Sequence, residues 1–403
     1  MTTYKERISC ESCGHTEFNI IYDFGKIPLA GSFPLDTEVN NIKSYPLKIV
    51  KCKNCELVQT NTLIPPETLF KDYRYISSVG MQNHFNDFAD WLVKNQNLTA
   101  MHEILEFGCN DGPLLEALKY RGIHHTIGID PATNIVELGR KKNLNIINNF
   151  FNYSYAKSIE WEEKFDLVLA SNTFAHIEDI NSVIKGVHYS LKPKGRFIFE
   201  IQYLVDLVDK FQFDFMYHEH LFYYTVTSLQ KLLSKYNLKI IDVKKVPIHS
   251  GSLRVVTTKD TSEPKKEIVD NLIEIEKDYK DLSKFSSKIS LALNNLSAQL
   301  GLIKEMDKKI AGYGASGRAN VITSTMNWDS DDLMYIIDES PERYGRYTSN
   351  GKIPIYPPEF LESDPPDYIL ILAWNFADMI IEKTKHLGIP YIIPFPEVKH
   401  IKP

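Results

Sequence analysis

Between residues 103 and 201, short apolar segments with β-strand character alternate with segments whose apolar residues recur at helical spacing. We predict strands at 103–107, 126–130, 165–170 and 196–201, and helices at 113–120, 135–142 and 180–191. Strands that alternate with helices form βαβ units around a mostly parallel sheet. The sequence therefore predicts an α/β fold.

The segments on either side differ from this region in their turn content and apolar patterning. Residues 1–80 are rich in turns and carry only short apolar runs, such as 45–50. Residues 264–308 have no proline after Pro264 and predict one long helix or two, and strand-like segments at 309–312, 333–337 and 368–372 indicate a second α/β unit. A chain of 403 residues exceeds one ordinary core, so we expect two or three domains.

Composition and charge exclude several classes of protein. Charged residues make up 24% of the chain and the net charge is only −6, so the sequence predicts no basic field for a nucleic-acid backbone. No apolar run reaches the roughly eighteen residues of a membrane span. The first ten residues, MTTYKERISC, lack the apolar stretch of a secretory signal, so we expect a cytoplasmic protein without membrane or nucleic-acid partners.

Four of the five cysteines form two pairs of identical spacing, Cys10-x-x-Cys13 and Cys52-x-x-Cys55. A two-residue gap lets one tight turn present two thiolates to a single ion, and four thiolates suit tetrahedral zinc. Such a site has no open coordination position, so we predict a structural Zn²⁺. The fifth, Cys109, is interpreted as a small packing residue.

A glycine-rich turn follows the first predicted strand, in the run from Glu106 through Gly108 and Asn110 to Gly112. Asp130 ends the next strand and is placed to bind ribose hydroxyls. Dinucleotide sites use G-x-G-x-x-G, whereas this turn reads E-x-G-x-x-x-G. The Glu106 carboxylate would repel a pyrophosphate but attract a sulfonium and an ammonium group, so the turn favours S-adenosylmethionine over NAD.

The loop after the strand at 165–170 carries two further candidates, Asn172 and His176. Ligands of open parallel sheets lie at the carboxyl ends of strands. We predict that both residues bind the cofactor, although backbone groups alone would also satisfy a loop histidine at 176.

A histidine-rich segment, Tyr217-His218-Glu219-His220, lies between aromatic residues. Chelation of a metal by the two histidines is one interpretation, but no H-E-x-x-H motif is present. General acid–base chemistry is the other, because histidine titrates near neutral pH and a neighbouring carboxyl or tyrosine can orient its ring.

These motifs together resemble the bacterial sugar C-methyltransferases that make branched deoxysugars, of the tetronitrose type. The matching parts occur in family order over nearly the whole chain: the two cysteine pairs, residues 72–78, the turn 106–112, the segment 217–220, residues 247–254 and residues 312–316. The resemblance implies a zinc-binding domain (1–80), a Rossmann-like class I methyltransferase core (81–300) and a C-terminal Rossmann-like domain (301–403).

The resemblance also implies roles for individual residues. His220 would be the base at the sugar carbon, and Glu219, Tyr217 and Tyr75 (with Tyr73 as the alternative) would line the same cleft. Substrate contacts would come from His249 and Arg254, and from the turn carrying Gly314 and Ser316, which is alternatively a packing turn. Two positions depart from the family pattern: Ser250 precedes Gly251, and Gly317 and Arg318 stand where a lysine is frequent.

The sequence thus predicts C-methylation of a nucleotide-linked keto-sugar through a base-generated enolate, by a monomer or homodimer. Three alternatives remain open. The first is O- or N-methylation of a sugar or another small metabolite. The second is a zinc-bearing interaction module without activity. The third is a nicotinamide oxidoreductase that uses the C-terminal unit and Asp338.

Overall fold

The computed structural model describes residues 4–70 and 76–402. In these ranges the strands form sheets of two, four, seven and six strands. None of the helices in these ranges combines the length and apolar character that a membrane-spanning helix requires.

The N-terminal part is mostly β-structure. Its elements are β1 (Lys5–Glu6), β2 (Phe18–Pro28), β3 (Ser44–Cys52), β4 (Val58–Thr60), β5 (Thr62–Leu63) and α1 (Pro66–Phe70). Strands β2, β3 and β4 pair antiparallel, and β1 pairs with β5. The predicted strand at 45–50 is confirmed, whereas the sequence did not reveal the long strand β2.

The middle part alternates strands and helices as predicted. Its elements are α2 (Ser78–Asn95), β6 (Ile104–Phe107), α3 (Pro113–Tyr120), β7 (Thr126–Asp130), α4 (Thr133–Lys141), β8 (Ile146–Asn148), α5 (Tyr153–Ser158), β9 (Phe165–Ser171), α6 (Ile180–Ser190), β10 (Leu191–Gln202), α7 (Leu204–Asp209), β11 (Phe222–Tyr223), α8 (Val226–Ser234), β12 (Lys239–Val246), β13 (Ser252–Thr258), α9 (Glu267–Glu276) and α10 (Ser283–Glu305).

The seven-stranded sheet has the order β12-β13-β10-β9-β6-β7-β8 in the described chain. Strands β6 to β10 are parallel, and β13 is antiparallel to both of its neighbours. The chain moves from β6 to one side through β7 and β8, and then to the other side through β9 and β10. The carboxyl ends of β6 and β9 therefore form a topological switch point, where open α/β sheets bind their ligands.

Alternate residues of these strands pack on opposite faces, as strand geometry requires. One face contacts α2 and α3 through Ile104, Leu167 and Leu169. The other face contacts α6 through residues such as Phe107 and Val168. Both faces are covered, so the strands read as continuous apolar runs.

The C-terminal part is a second doubly wound unit. Its elements are β14 (Ile310–Tyr313), α11 (Gly317–Thr325), β15 (Ile336–Ile337), β16 (Ile355–Tyr356), α12 (Phe360–Ser363), β17 (Tyr368–Ile371), α13 (Ala377–Thr384), β18 (Tyr391–Ile393) and β19 (Lys399–Ile401). The strand order β16-β15-β14-β17-β18-β19 is that of a Rossmann fold, with β19 antiparallel.

The predicted helical segment at 264–308 is two helices, α9 and α10, and α10 continues through position 300. Helix α2 likewise runs through position 80. The domain boundaries at 80 and 300 therefore fall inside helices and stay predictions. In addition, β11 pairs with β4, so a strand from the middle part extends the N-terminal sheet.

Candidate active site

A cavity of about 1940 Å³ opens at the carboxyl ends of the strands in the seven-stranded sheet. It is lined by residues of all three parts of the described chain. The predicted site residues in its wall are Gly108, Asn110, Asp130, Asn172, His176, Tyr217, Glu219, His220, His249 and Ser316. Candidates from the cofactor turn and from the histidine-rich segment thus share one cavity.

The turn after β6 depends on glycine at two points. Gly108 has φ +63°, and a Cβ there would lie 2.2 Å from the Thr173 side chain. Gly112 has φ +77°, and a Cβ would lie 2.5 Å from Leu144. Gly108 brings the backbone to the cavity wall, whereas Gly112 is absent from that wall and packs against Leu144 and Ile146.

Asp130 ends β7 in the wall of the cavity, 7% exposed. Its carboxylate accepts hydrogen bonds from the backbone N–H groups of Asn110 and Ala132, both at 2.9 Å. Burial nevertheless raises its pKa. Each oxygen keeps a further acceptor site, so the fixed carboxylate suits a pair of hydroxyl groups such as those of a ribose.

Glu106 is buried behind the wall, at the end of β6. Ser171 donates to its Oε1 at 3.2 Å, and Oε2 has no hydrogen-bond partner among the described residues. Burial raises the pKa of this carboxyl to about 8, with smaller contributions from Asp130 and Glu200. A buried acidic group with a spare acceptor suits a cationic ligand and disfavours a pyrophosphate. These residues therefore fit S-adenosylmethionine.

His220 lies half-buried in the cavity wall. Its Nδ1 is 2.8 Å from the carbonyl oxygen of Phe215, which can only accept, so Nδ1 carries a proton. Burial lowers the pKa of His220 well below 6.5, and His176 and His249 lower it further. The ring is therefore neutral near pH 7 with a lone pair on Nε2, which is the state of a general base.

Aromatic rings hold the imidazole of His220 in place. The ring of Phe215 stacks nearly parallel to it, with a centroid distance of 5.5 Å and an interplanar angle of 8°. The Tyr217 ring lies 4.1 Å away, centroid to centroid. Tyr217 therefore belongs to the surroundings of this histidine, whereas Tyr75 and Tyr73 lie outside the described residues.

Glu219 does not contact the His220 ring in the described hydrogen bonds. Its Oε1 accepts from the backbone N–H of Gly31 at 3.0 Å, and its Oε2 has no partner in the described chain. Burial raises its pKa. The group that orients His220 is thus the carbonyl of Phe215, and Glu219 links the cavity to the N-terminal part.

His176 lies next to His220, with ring centroids 4.9 Å apart. Its Nδ1 is 2.7 Å from the carbonyl oxygen of Glu219, and burial lowers its pKa. His176 therefore makes the kind of backbone hydrogen bond that would satisfy a loop histidine, and its ring also lies in the cavity wall.

The four paired cysteines converge. Their sulfur atoms all lie within 4.8 Å of one another, with 3.4 Å between Cys10 and Cys55 and 3.6 Å between Cys13 and Cys52. A tetrahedral zinc site with Zn–S bonds of about 2.3 Å places its sulfurs roughly 3.8 Å apart. The four thiols therefore fit one Zn²⁺ with every coordination position filled by protein.

Comparisons with known proteins cover nearly the whole chain. The family models "Putative zinc binding domain", "Methyltransferase domain" and "C-methyltransferase C-terminal domain" match residues 10–70, 81–243 and 247–396. The C-methyltransferase NovU of Streptomyces niveus is 30% identical over 97% of this chain and 96% of its own length. The chain belongs to the C-methyltransferase family.

Three further proteins are similar to less than half of this C-methyltransferase. A ubiquinone biosynthesis O-methyltransferase of Pseudomonas syringae is 30% identical over 28% of this chain and 48% of its own length. Among solved structures, the PH0226 protein of Pyrococcus horikoshii is 19% identical, with a TM-score of 0.37 over 48% of this chain and 97% of its own. Magnesium protoporphyrin IX methyltransferase of Synechocystis, with bound S-adenosylhomocysteine, is 17% identical, with a TM-score of 0.36 over 44% of this chain and 83% of its own.

The predicted enzyme class, fold class and cofactors are thereby confirmed. The C-methyltransferase uses S-adenosylmethionine, has a class I methyltransferase core, and carries an N-terminal zinc-binding domain that contains the four-cysteine cluster.

Two predicted substrate residues of the C-methyltransferase do not line the cavity. Arg254 is buried, binds Glu200 at 2.7 Å, and stacks over Phe88. Gly314 has φ +95°, and a Cβ there would lie 2.4 Å from that of Ala373. Arg254 thus makes a buried ion pair and Gly314 a packing contact, whereas His249 and Ser316 face the cavity.

The sequence interpretation missed several residues of the cavity wall in this C-methyltransferase. Ser171 and Thr173 flank Asn172, and each hydrogen-bonds a residue of the cofactor turn. Their position on either side of Asn172 was the sequence signal that could have identified them. The cations Lys43, Arg318 and Arg343 also line the cavity, and only the folded chain brings them there.

Proposed function

We propose that this enzyme methylates a carbon atom of a nucleotide-diphosphate-linked keto-deoxysugar, in the biosynthesis of a branched sugar. The supporting observation is that His220, neutral and with Nε2 unprotonated, lies in the same cavity as Gly108, Asn110 and Asp130 of the cofactor turn. Methylation of an oxygen or nitrogen needs no such base when the acceptor is already nucleophilic or acidic.

The chemistry follows from the acceptor atom. Carbon becomes nucleophilic when a neighbouring ketone acidifies its C–H bond and a base removes the proton. In this proposal Nε2 of His220 takes that proton, and Tyr217 or Tyr75 donates a hydrogen bond to the enolate oxygen. S-adenosylmethionine, when bound, supplies an electrophilic methyl group. A positioned general base of this kind contributes about 100- to 10,000-fold in rate.

Two features favour a sugar nucleotide. The cavity volume of about 1940 Å³ exceeds the roughly 300–1,000 Å³ of a typical single-ligand pocket, so it has room for cofactor and a large substrate. In this proposal Lys43 and Arg343, which line the wall, bind the diphosphate, and Arg343 does so while paired with Asp338. The family resemblance supports the same class of substrate.

The test uses the purified enzyme with a panel of nucleotide-linked 4-keto sugars in D₂O. We expect deuterium to enter a carbon position next to the ketone when S-adenosylhomocysteine replaces the methyl donor, and methyl transfer to that carbon when the donor is present. Methyl transfer to an oxygen or nitrogen, with no exchange at carbon, would show that the enzyme is an O- or N-methyltransferase.

His220→Asn is the matching variant. We expect turnover to fall at least about 100-fold because the base is lost, while S-adenosylmethionine binds with unchanged affinity. The control is His218→Gln, since His218 lies outside the cavity wall and its Nε2 contacts the carbonyl of Pro46. If His220→Asn keeps most of its turnover, the assignment of the base is wrong.

A further inference from the structure

Asp214 is a fully buried carboxylate, 0% exposed, in the 3₁₀ turn Phe213–Phe215 of the methyltransferase core. Both of its side-chain hydrogen-bond partners in the described chain come from the C-terminal unit. Arg318 donates to Oδ1 at 2.8 Å, and the indole Nε1 of Trp374 donates to Oδ2 at 2.8 Å. A buried carboxylate is costly without such donors, so the position of this turn depends on the C-terminal unit.

The same turn holds His220. Phe215 follows Asp214 directly, and it contacts His220 twice: its carbonyl accepts from Nδ1, and its ring stacks nearly parallel to the imidazole. The Arg318 guanidinium also lies over the Phe215 ring, 4.8 Å from its centroid. Arg318 thus contacts both residues through which the turn reaches the histidine.

Other contacts keep the turn rigid. The ring of Phe213 packs edge-on against Phe395 of the C-terminal unit at 5.0 Å. Backbone hydrogen bonds join Phe215 to Gln212 and Met216 to Phe213. A shift of Asp214 is therefore transmitted to the Phe215 carbonyl two peptide groups away, instead of being absorbed by a flexible loop.

We propose that Arg318 is a positioning residue: by binding Asp214 it fixes the Phe215 carbonyl, and thereby the tautomer and orientation of His220. This inference rests on the proposed role of His220 as the base. It makes the C-terminal unit part of the catalytic apparatus. The Phe215 carbonyl keeps the proton on Nδ1 and leaves Nε2 as the acceptor, and a displaced carbonyl would let the proton move to Nε2.

The tautomer of His220 can be measured without substrate. We would label the full-length protein with ¹⁵N-histidine and record two-bond ¹⁵N–¹H correlation spectra, with the His220 signal assigned by its loss in His220→Asn. The wild type should show the Nδ1–H tautomer alone. Arg318→Met should show a mixture that includes the Nε2–H tautomer, and Arg318→Lys, which keeps one donor for Asp214, should lie between the two.

Arg343→Met is the matched control. Arg343 is an arginine in the same cavity wall, but it pairs with Asp338 at 2.9 Å inside the C-terminal unit. The Arg343→Met substitution removes one positive charge from the cavity wall, as Arg318→Met does, and should leave the His220 spectrum unchanged. If Arg318→Met does not fold, Trp374→Phe removes the other donor to Asp214 while keeping an aromatic ring, and should shift the tautomer in the same direction.

Kinetics distinguish positioning from substrate binding. With a sugar nucleotide that the wild type methylates, Arg318→Met should lower kcat about 10- to 100-fold, because small misplacements of a catalytic group have effects of this size. A wild-type tautomer in Arg318→Met and Trp374→Phe, with only KM raised, would overturn the proposal and make Arg318 a substrate-binding cation. Full turnover in His220→Asn would instead contradict the proposed base, whatever Arg318 does.

Discussion

Ser171 donates its hydroxyl to Oε1 of Glu106 across 3.2 Å, while Oε2 of the same buried carboxyl has no hydrogen-bond partner in the described chain. Ser171 is the last residue of β9, and Glu106 is the penultimate residue of the neighbouring parallel strand β6. The pair thus places a half-satisfied acidic group at the switch point of the sheet, where we expect the cationic cofactor to bind.

The pKa of Glu106 predicts a pH-dependent stability. The folded pKa of about 8 lies above the ordinary 4.5, so the native state binds more protons than the unfolded state between these values. Stability of the cofactor-free enzyme must then fall as pH rises from about 4.5 to about 8, by at most roughly 1.4 kcal/mol per pH unit from this group. Glu106→Gln removes this contribution, so its melting temperature should rise relative to wild type as pH increases. Parallel melting curves from pH 5 to 8 would contradict the expectation.

Asp130→Asn should weaken S-adenosylmethionine binding about 10- to 100-fold, because a hydrogen bond to a charged group contributes about 1.5–3 kcal/mol. Isothermal titration calorimetry measures the change. Asp166→Asn is the control, since Asp166 lies at the opposite end of the sheet and pairs with Lys192 at 2.7 Å. Equal losses in the two variants would mean that Asp130 acts through stability alone.

Gly108→Ala should destabilise the enzyme by about 3 kcal/mol and abolish cofactor binding, since the added Cβ would lie 2.2 Å from the Thr173 side chain. Gly122→Ala is matched in backbone conformation, with φ +79°, but has no atom within 4 Å of the new Cβ. The Gly122→Ala substitution should destabilise the enzyme only by the strain of a left-handed backbone conformation, about 1–2 kcal/mol. Denaturant unfolding of both variants separates the steric contribution to the loss of stability from the backbone contribution. Similar losses of stability in the two variants would contradict a close approach of Thr173 to Gly108.

Cys52→Ser should lower the zinc content, measured by mass spectrometry of metals, well below the one ion per chain expected for wild type. A structural zinc contributes on the order of 10–16 kcal/mol to folding of a small domain, so the N-terminal part should become protease-sensitive and turnover should fall. Cys109→Ala, a buried thiol in the cofactor turn, should keep the full zinc content. A wild-type content in Cys52→Ser would exclude the four-thiolate site.

The elements of the core were predictable because each carries a local signal. The strand Thr126–Asp130 and the helix Pro113–Tyr120 have the predicted bounds, since an acidic residue after an apolar run and a proline at a helix start mark them. The cysteine pairs could be read as one zinc site because metal chemistry fixes their spacing. The fold class followed from the alternation of these elements.

The orientation of catalytic groups was not predictable in this way. Sequence adjacency suggested that Glu219 orients His220, but its side chain binds Gly31, 188 residues away in the chain, and the carbonyl of Phe215 takes the orienting contact. Every residue has a backbone carbonyl, so residue types do not indicate which carbonyl will accept this hydrogen bond. The same limit applies to Arg254, whose partner Glu200 pairs with it only because β10 and β13 are neighbours.

Strand β11 begins two residues after His220 and belongs to the sheet of the zinc-binding part, through the pairs Phe222–Gln59 and Tyr223–Val58. The N-terminal and middle parts of the enzyme are therefore not separable modules. A truncated protein that starts near residue 81 would leave this strand without its neighbour and would lose the local anchor of the imidazole. Grafting the core onto another N-terminal unit would succeed only if the graft also supplied an equivalent edge for Phe222 and Tyr223.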